Sequence, residues 1–218
     1  MSMYVPKLFE EPDLSVLHAL VREHPLGTWV THDDGGLVAN HVPFVLDAGH
    51  GEYGALRAHV ARANPVWQAV STTVRSLVVF QGPQAYVTPS WYPTKQVSGE
   101  VVPTWNYAVV HAYGLPRVIQ DRSWLLSLVG DLTTRHEAGE AHPWSLTDAP
   151  QDFLDRLLEN VVGIEIPIER LVGKWKVSQN RPEPDRLGVA LGMAARDDDG
   201  SRAIASLVRR RVSIAPAD

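Results

Sequence analysis

The chain has no cysteine among its 218 residues. That excludes disulfides, thiolate nucleophiles and any cysteine-ligated zinc or iron–sulfur centre, so redox chemistry here needs a bound cofactor. No apolar run approaches the roughly 20 residues of a helical membrane span. Basic residues are outnumbered, with 20 Lys and Arg against 25 Asp and Glu and a net charge of −5. Such a balance leaves no material for the broad basic surface of a general nucleic-acid binder. The opening MSMYVPKLFEEPD puts acids where an export signal needs a basic start and an apolar segment, which predicts a cytoplasmic protein and no membrane partner.

What is present is an ordinary globular composition, 44% hydrophobic, able to bury one sizeable core or two small ones. Seven tryptophans are many for this length, and several stand beside polar residues, which suits a planar ligand as well as a core. Charge is uneven along the chain. Residues 1–169 hold ten Lys and Arg against nineteen Asp and Glu, whereas residues 170–218 hold ten against six. The C-terminal fifth is locally basic.

Periodicity predicts an amphipathic helix from Asp13 to His24, stopped by Pro25, then strands over Thr28–His32 and Leu37–Leu46 joined across Asp33-Asp34-Gly35-Gly36. Further strands are expected over Tyr53–Val60, Arg75–Gln81 paired with Ala85–Thr88 around Gly82-Pro83, Trp105–Ala112 and Leu115–Ile119. Helices over Ser123–Thr134 and Gln151–Asn160 precede a strand over Gly163–Ile168 that resumes over Val172–Val177. Two helices, Asp185–Arg196 and Ser201–Arg211, close the chain. Many short strands with local connections and peripheral helices indicate a small antiparallel barrel rather than a parallel sheet.

Two motifs fail on physical grounds. Gly49-His-Gly-Glu-Tyr-Gly54 matches the dinucleotide fingerprint, but a strand follows it instead of a helix, and no acid stands near Val74 to hold a ribose; it reads as a hairpin loop. His136 and His142 are six residues apart, which on a helix turns the two imidazoles about 240° away from each other, so no metal site is expected. No nucleophile elbow or cysteine–histidine pair exists.

One constellation survives. In Arg57-Ala-His59-Val-Ala-Arg62-Ala-Asn64-Pro65, Arg57 and His59 share a strand face, Arg62 lies where the strand ends, and Asn64 with Pro65 reads as the cap and first residue of a short helix. Donor side chains and free backbone N–H groups together suit a phosphate dianion. Three clusters mix indoles with polar groups: Ser90-Trp91-Tyr92-Pro93-Thr94-Lys95, Thr104-Trp105-Asn106-Tyr107 and Lys174-Trp175-Lys176. Such groups suit the walls and polar edge of an isoalloxazine ring. Asn40-His41-Val42-Pro43 adds a polar pair in an apolar strand, where Pro43 implies an edge.

The segments MYVPKLFEE, LVANHVPF, LRAHVARANPVW, FQGPQAYVTPSWYPTK, VVPTWNYAVVHAYG, RHEAGEAHPW and GIEIPIERLVGKWKVSQNRPEPDRLGV run in order from Met3 to about Val189. On them the chain resembles the FMN-binding negative transcriptional regulators, the PaiB-like proteins of protease-production and sporulation control. The resemblance implies an α+β fold: an antiparallel, Greek-key-like FMN-binding split β-barrel over residues 1–180, with peripheral helices and a helical extension over 181–218. It implies a homodimer with FMN at the subunit interface. By the same likeness His59, Arg62, Asn64 and Arg57 hold the phosphate, and Asn40, His41 and Val42 line the ring. Trp91, Tyr92, Lys95, Trp105 and Lys176 complete the pocket.

The family's label implies repression and DNA as a partner. The basic C-terminal helices fit a helix-turn-helix poorly, because Asp197, Asp198 and Asp199 would face phosphates and Arg209, Arg210 and Arg211 lie at the wrong end of a recognition helix. The alternative is an FMN-dependent oxidoreductase or oxidase acting on a small planar substrate. His41, His59, His111 and Tyr92 are the available proton donors, none with a partner visible in sequence, so no catalytic residue is assigned. Haem handling is a third reading, without a histidine that stands out as an axial ligand.

Overall fold

Alternation of buried and exposed side chains defines the strands, and the computed structural model describes residues 3–33 and 35–212. In chain order the elements are β1 (Glu10–Glu11), α1 (Leu14–Glu23), β2 (Leu26–Asp33), β3 (Gly36–Pro43), β4 (Val45–Asp47), β5 (Ala55–Ala61), α2 (Val66–Ala69), β6 (Ser76–Val87) and α3 (Thr94–Val97). They continue with β7 (Thr104–Gly114), β8 (Arg117–Ile119), α4 (Arg122–Glu137), α5 (Gln151–Glu159), β9 (Val161–Pro167), β10 (Arg170–Lys176), α6 (Glu183–Ala194) and α7 (Asp199–Val212). Single 3-10 turns occupy Lys7–Phe9, Pro89–Trp91 and Leu146–Asp148. The fold is the antiparallel α+β split barrel with a helical C-terminal end that the sequence predicts.

The chain forms two compact units: Met1–Leu17, Gln81–Val110 and Val172–Asp218 make the first, and His18–Phe80 with His111–Leu171 the second. In the second unit β4, β5, β9 and β8 form a four-stranded sheet in that order. β5 pairs with β9 along its length, from Ala55 opposite Pro167 to Ala61 opposite Val161. Leu56, Ala58 and Val60 of β5, with Val162, Ile164 and Ile166 of β9, are buried. The same unit contains the β2–β3 hairpin and the first half of β6, whose Phe80 meets Phe44 edge-on at 5.9 Å. α4 begins on a firm cap, the Trp124 amide donating to Asp121 Oδ1 at 2.8 Å.

In the first unit β1 pairs with β10, Glu10 opposite Lys174. Its core joins Ala85, Val87 and Val177 to Val189, Ala190 and Met193 of α6 and Ile204, Ala205 and Val208 of α7. The C-terminal helices are therefore packed by their apolar faces. Asp198 starts α7 by accepting from the Ser201 amide at 2.7 Å.

Three expected elements differ. The pair over Arg75–Gln81 and Ala85–Thr88 is one twelve-residue strand, β6. Burial alternates through Gly82, slips at Pro83 and Gln84, and resumes at Ala85, so Gly82-Pro83 makes an irregularity within a strand rather than a turn. The expected strand Leu37–Leu46 divides into β3 and β4, which belong to different sheets. Between them Phe44 turns inward, 1% exposed, and its amide donates to Pro25 O at 2.9 Å. The segment expected to resume after Ile168 is likewise a separate strand of another sheet. The sequence reading also missed β1 and α3, each too short to show a period. The Gly49–Gly54 loop does join two antiparallel strands, β4 and β5, with Gly54 at φ +87°. Of the expected β2–β3 turn, Asp34 lies outside the described residues.

Gly114 ends β7 where a Cβ would fall 2.1 Å from the Pro167 carbonyl oxygen. Because the obstacle is backbone, Gly114→Ala is expected to destabilise the chain by about 1–3 kcal/mol. A urea unfolding curve measures this, and an unchanged midpoint would contradict the close approach.

Candidate functional site

Of the predicted site residues, Asn40, His41, Val42, Arg57, His59, Arg62 and Asn64 lie in the second unit, and Trp91, Tyr92, Lys95, Trp105 and Lys176 in the first.

β5 presents Arg57 and His59 on one face, as its period of two requires. Arg57 is already neutralised: Nη1 donates to Asp131 Oδ2 at 3.0 Å, and the guanidinium lies 5.1 Å from the centre of the Trp124 ring. His59 is largely buried, and its Nδ1 has no hydrogen-bond partner among the described residues. Desolvation holds its pKa below the ordinary 6.5, so the imidazole is neutral at pH 7.

Arg62 follows the strand. Its Nε donates to Glu159 O at 2.6 Å, Nη1 to Gln120 Oε1 at 3.0 Å and Nη2 to Val161 O at 3.1 Å. All three acceptors are uncharged, so the guanidinium is fixed in place while its charge stays uncompensated by any carboxylate among the described residues. Two of its five N–H groups remain available. The Trp67 indole supports the same turn by donating to Arg62 O at 2.9 Å. Asn64 works in two directions: Oδ1 accepts from the Val66 amide at 3.0 Å and Nδ2 donates to Asn40 Oδ1 at 2.9 Å. The helix it opens, α2, is a single turn. Asn40 is thus tied to the Arg62 turn, whereas His41 is exposed and Val42 buried.

In the first unit Trp91 and Tyr92 are packing residues. Trp91 lies against the helical core beneath the Arg196 guanidinium, 4.7 Å from its ring centre, and Tyr92 is 2% exposed with Arg181 at 4.8 Å. Burial pushes the Tyr92 phenol up. Lys95 is exposed on α3. Trp105 differs, being 47% exposed with its indole donating to Gln84 Oε1 at 3.1 Å and its ring 6.1 Å from Tyr86. Lys176 donates to Thr104 Oγ1 and, at 2.8 Å, to Trp105 O. Burial, then the charges of Lys174 and Arg181, lower its pKa. No carboxylate pairs with Lys174, Lys176 or Arg181 among the described residues.

The sequence reading passed over Gln84, Tyr86 and Arg181, and placed Lys174 in a candidate cluster without assigning it to the pocket. The i, i+2 spacing of Lys174 and Lys176 was a usable signal, since a strand puts both on one face. Tyr86 and Gln84 were hidden by reading Gly82-Pro83 as a turn.

Each region, taken by itself, suits one part of a flavin nucleotide. Arg62 offers a fixed, unneutralised cation suited to phosphate, and Trp105 with Tyr86 and Lys176 offers exposed rings beside an unpaired ammonium suited to an electron-poor planar system. Comparison with known proteins agrees. Residues 3–170 match the family model described as "Putative FMN-binding domain". The chain belongs to that family. The protease synthase and sporulation protein PAI 2 of Bacillus subtilis is 32% identical over 96% of this chain and 98% of its own length. The membership is therefore PaiB-like. A protein of Emericella nidulans is 36% identical over 96% of this chain and 97% of its own. A flavocytochrome from Azotobacter vinelandii superposes with a TM-score of 0.57 at 13% identity, over 79% of this chain and 72% of that one, which shows a shared fold. Membership of this family supports a flavin as the cofactor. Among the described residues no helix is long and apolar enough to cross a membrane.

Because the folded state holds His59 below its ordinary pKa, the unfolded chain binds the extra proton first as pH falls. Stability contributed by the neutral imidazole is complete above about pH 6.5 and is lost progressively as pH falls from there towards the lower pKa of the folded state. Thermal melts between pH 7.5 and 5 are expected to show a smaller decline for His59→Leu than for the unmodified chain. Equal declines would rule His59 out as the source.

Proposed function

We propose that this chain binds FMN as a homodimer, with Arg62 and Asn64 of the second unit serving the phosphate, and that Trp105 and Lys176 of the first unit form a surface suited to a planar anionic ligand. The observation that carries this reading is charge left unpaired in an acid-rich protein. Lys176 is half-buried among like charges with no carboxylate near it, an arrangement that costs free energy until an anion arrives. Arg57 takes a lesser part, since Asp131 already holds it. Asn40 supports Asn64. Bound flavin supplies hydride and single-electron chemistry; the protein's share is to hold it and present a partner to its open side.

Its role on this reading is that of a PaiB-like regulator whose flavin is the ligand, in keeping with a Bacillus relative named for protease synthesis and sporulation. DNA contact through α7 is disfavoured: Ile204, Ala205 and Val208 are core, Arg202 is bound by Asp197 and Asp199, and Arg211 is paired with Glu11. A second reading, an FMN-dependent oxidoreductase, is favoured by the exposure of Trp105, which leaves a stacking surface for a small planar substrate.

Quenching of flavin fluorescence tests the binding claim. Arg62→Ala and Lys176→Ala are each expected to weaken FMN binding about tenfold or more, as loss of a charge-assisted hydrogen bond does. A chain that takes up no FMN, or variants that bind it as the parent does, would sink the assignment.

Regulator and enzyme separate in a paired assay. Gel shifts with DNA from upstream of the chain's own gene, at physiological salt, should show sequence-dependent binding that changes with FMN. Sequence-blind, salt-sensitive binding, together with rapid reduction of the flavin by nicotinamide cofactors, would favour the oxidoreductase instead.

A further inference from the structure

The second unit contains a partly open apolar pocket that the flavin reading does not use. It lies between β5 and β9 on one side and α4 and α5 on the other, bordered by the segment carrying Trp144 and Leu146, and its volume is about 280 Å³. Leu126 and Val129 of α4 and Leu157 of α5 line it, and His59 is the titratable side chain among its walls. No charged side chain lines it.

Two features define what would bind. A cavity of about 150 Å³ lined by Leu, Ile and Phe holds a benzene ring, so this one has room for a single ring with a substituent. His59 Nδ1 is buried and has no partner among the described residues, and an unsatisfied buried ring nitrogen is costly. Turned towards the pocket by a flip of the ring, that nitrogen would accept a ligand hydroxyl. An anion would not be accommodated, because the imidazole is held neutral and the remaining lining is without counter-charge.

We infer that this cavity binds a neutral monocyclic aromatic carrying one hydroxyl group, with the ring among Leu126, Val129, Trp144 and Leu157 and the hydroxyl hydrogen-bonded to His59. The site is separate from the one proposed for FMN.

Calorimetric titration of the full chain with p-cresol, toluene and benzoate at pH 7.5 tests this. p-Cresol is expected to bind one per chain and about fivefold tighter than toluene, the difference a single hydrogen bond makes, and benzoate to bind at least tenfold more weakly than p-cresol. Val129→Trp and Leu157→Trp, which fill the space from two different helices, should abolish p-cresol binding while melting cooperatively and still taking up FMN. His59→Leu should keep toluene binding and lose the preference for p-cresol. The inference is overturned if p-cresol fails to bind, if both filled variants bind it as the parent does, or if benzoate binds as tightly. Displacement of p-cresol by FMN would also overturn it, since the cavity would then belong to the flavin site. A chain that binds p-cresol but no FMN leaves this inference standing and removes the one above.

Discussion

The alternation along β5 constrains everything the second unit can do with a ligand. Leu56 and Ala58 are fully buried and Val60 nearly so, and β5 is paired with β9 from end to end. A slip of one residue would put Arg57 and His59 into that core and Leu56 and Ala58 outside it, so the register is strongly fixed. Arg57 and His59 are thereby committed to the face that carries Trp124, Asp131 and the apolar cavity. One is neutralised by a carboxylate and the other by desolvation. The cation that keeps its charge is Arg62, the first basic residue beyond the strand, where the pleat no longer dictates direction and backbone carbonyls can seat the guanidinium instead.

The electrostatics of the first unit follow a related logic. Several cations here find a carboxylate, as Arg57, Arg75, Arg117, Arg122, Arg156, Arg202 and Arg211 do. Lys174, Lys176 and Arg181 are held in another way. Lys174 lies 5.6 Å from the Tyr4 ring centre and 5.5 Å from that of Tyr107, and Arg181 lies over Tyr92, so these cations rest on aromatic faces. Cation–π contact offsets desolvation without cancelling charge. Positive potential is therefore preserved beside exposed rings, a combination of little structural value and of direct use to an anionic planar ligand.

Most elements could be read from the chain because local rules govern them. Helix α1 is bounded by Asp13 and Pro25, and the failed dinucleotide motif is a hairpin loop for the reason its sequence gives, a strand where a helix would be needed. The misreadings fall where tertiary context overrides a local signal. Gly82-Pro83 looks like a turn, yet lies within β6, because a proline is tolerated where its missing N–H leaves no ladder bond unmade. Phe44 breaks an apolar run that looks continuous, since burying its ring takes precedence over extending β3. For the candidate residues, sequence showed which types sit on which strand face. It could not show that Asp131, 74 positions further on, neutralises Arg57, or that Trp91 and Tyr92 serve packing.

The C-terminal helices show how far a basic composition can mislead. Ten basic residues in the last fifth of the chain invite a nucleic-acid reading, but a helix that reads bases must turn a polar face outward and keep its N-terminal cations free. In α7 the N-terminal cation, Arg202, bridges two aspartates, and the helix interior supplies Ile204, Ala205 and Val208 to the first unit's core. Regulation of the kind attached to the PaiB-like family therefore calls for a different surface, and Lys174, Lys176 and Arg181 are among the cations of this unit that no carboxylate holds among the described residues. If they serve the flavin, ligand and nucleic acid would compete for the same charge, which is itself a means by which flavin occupancy could control a partner.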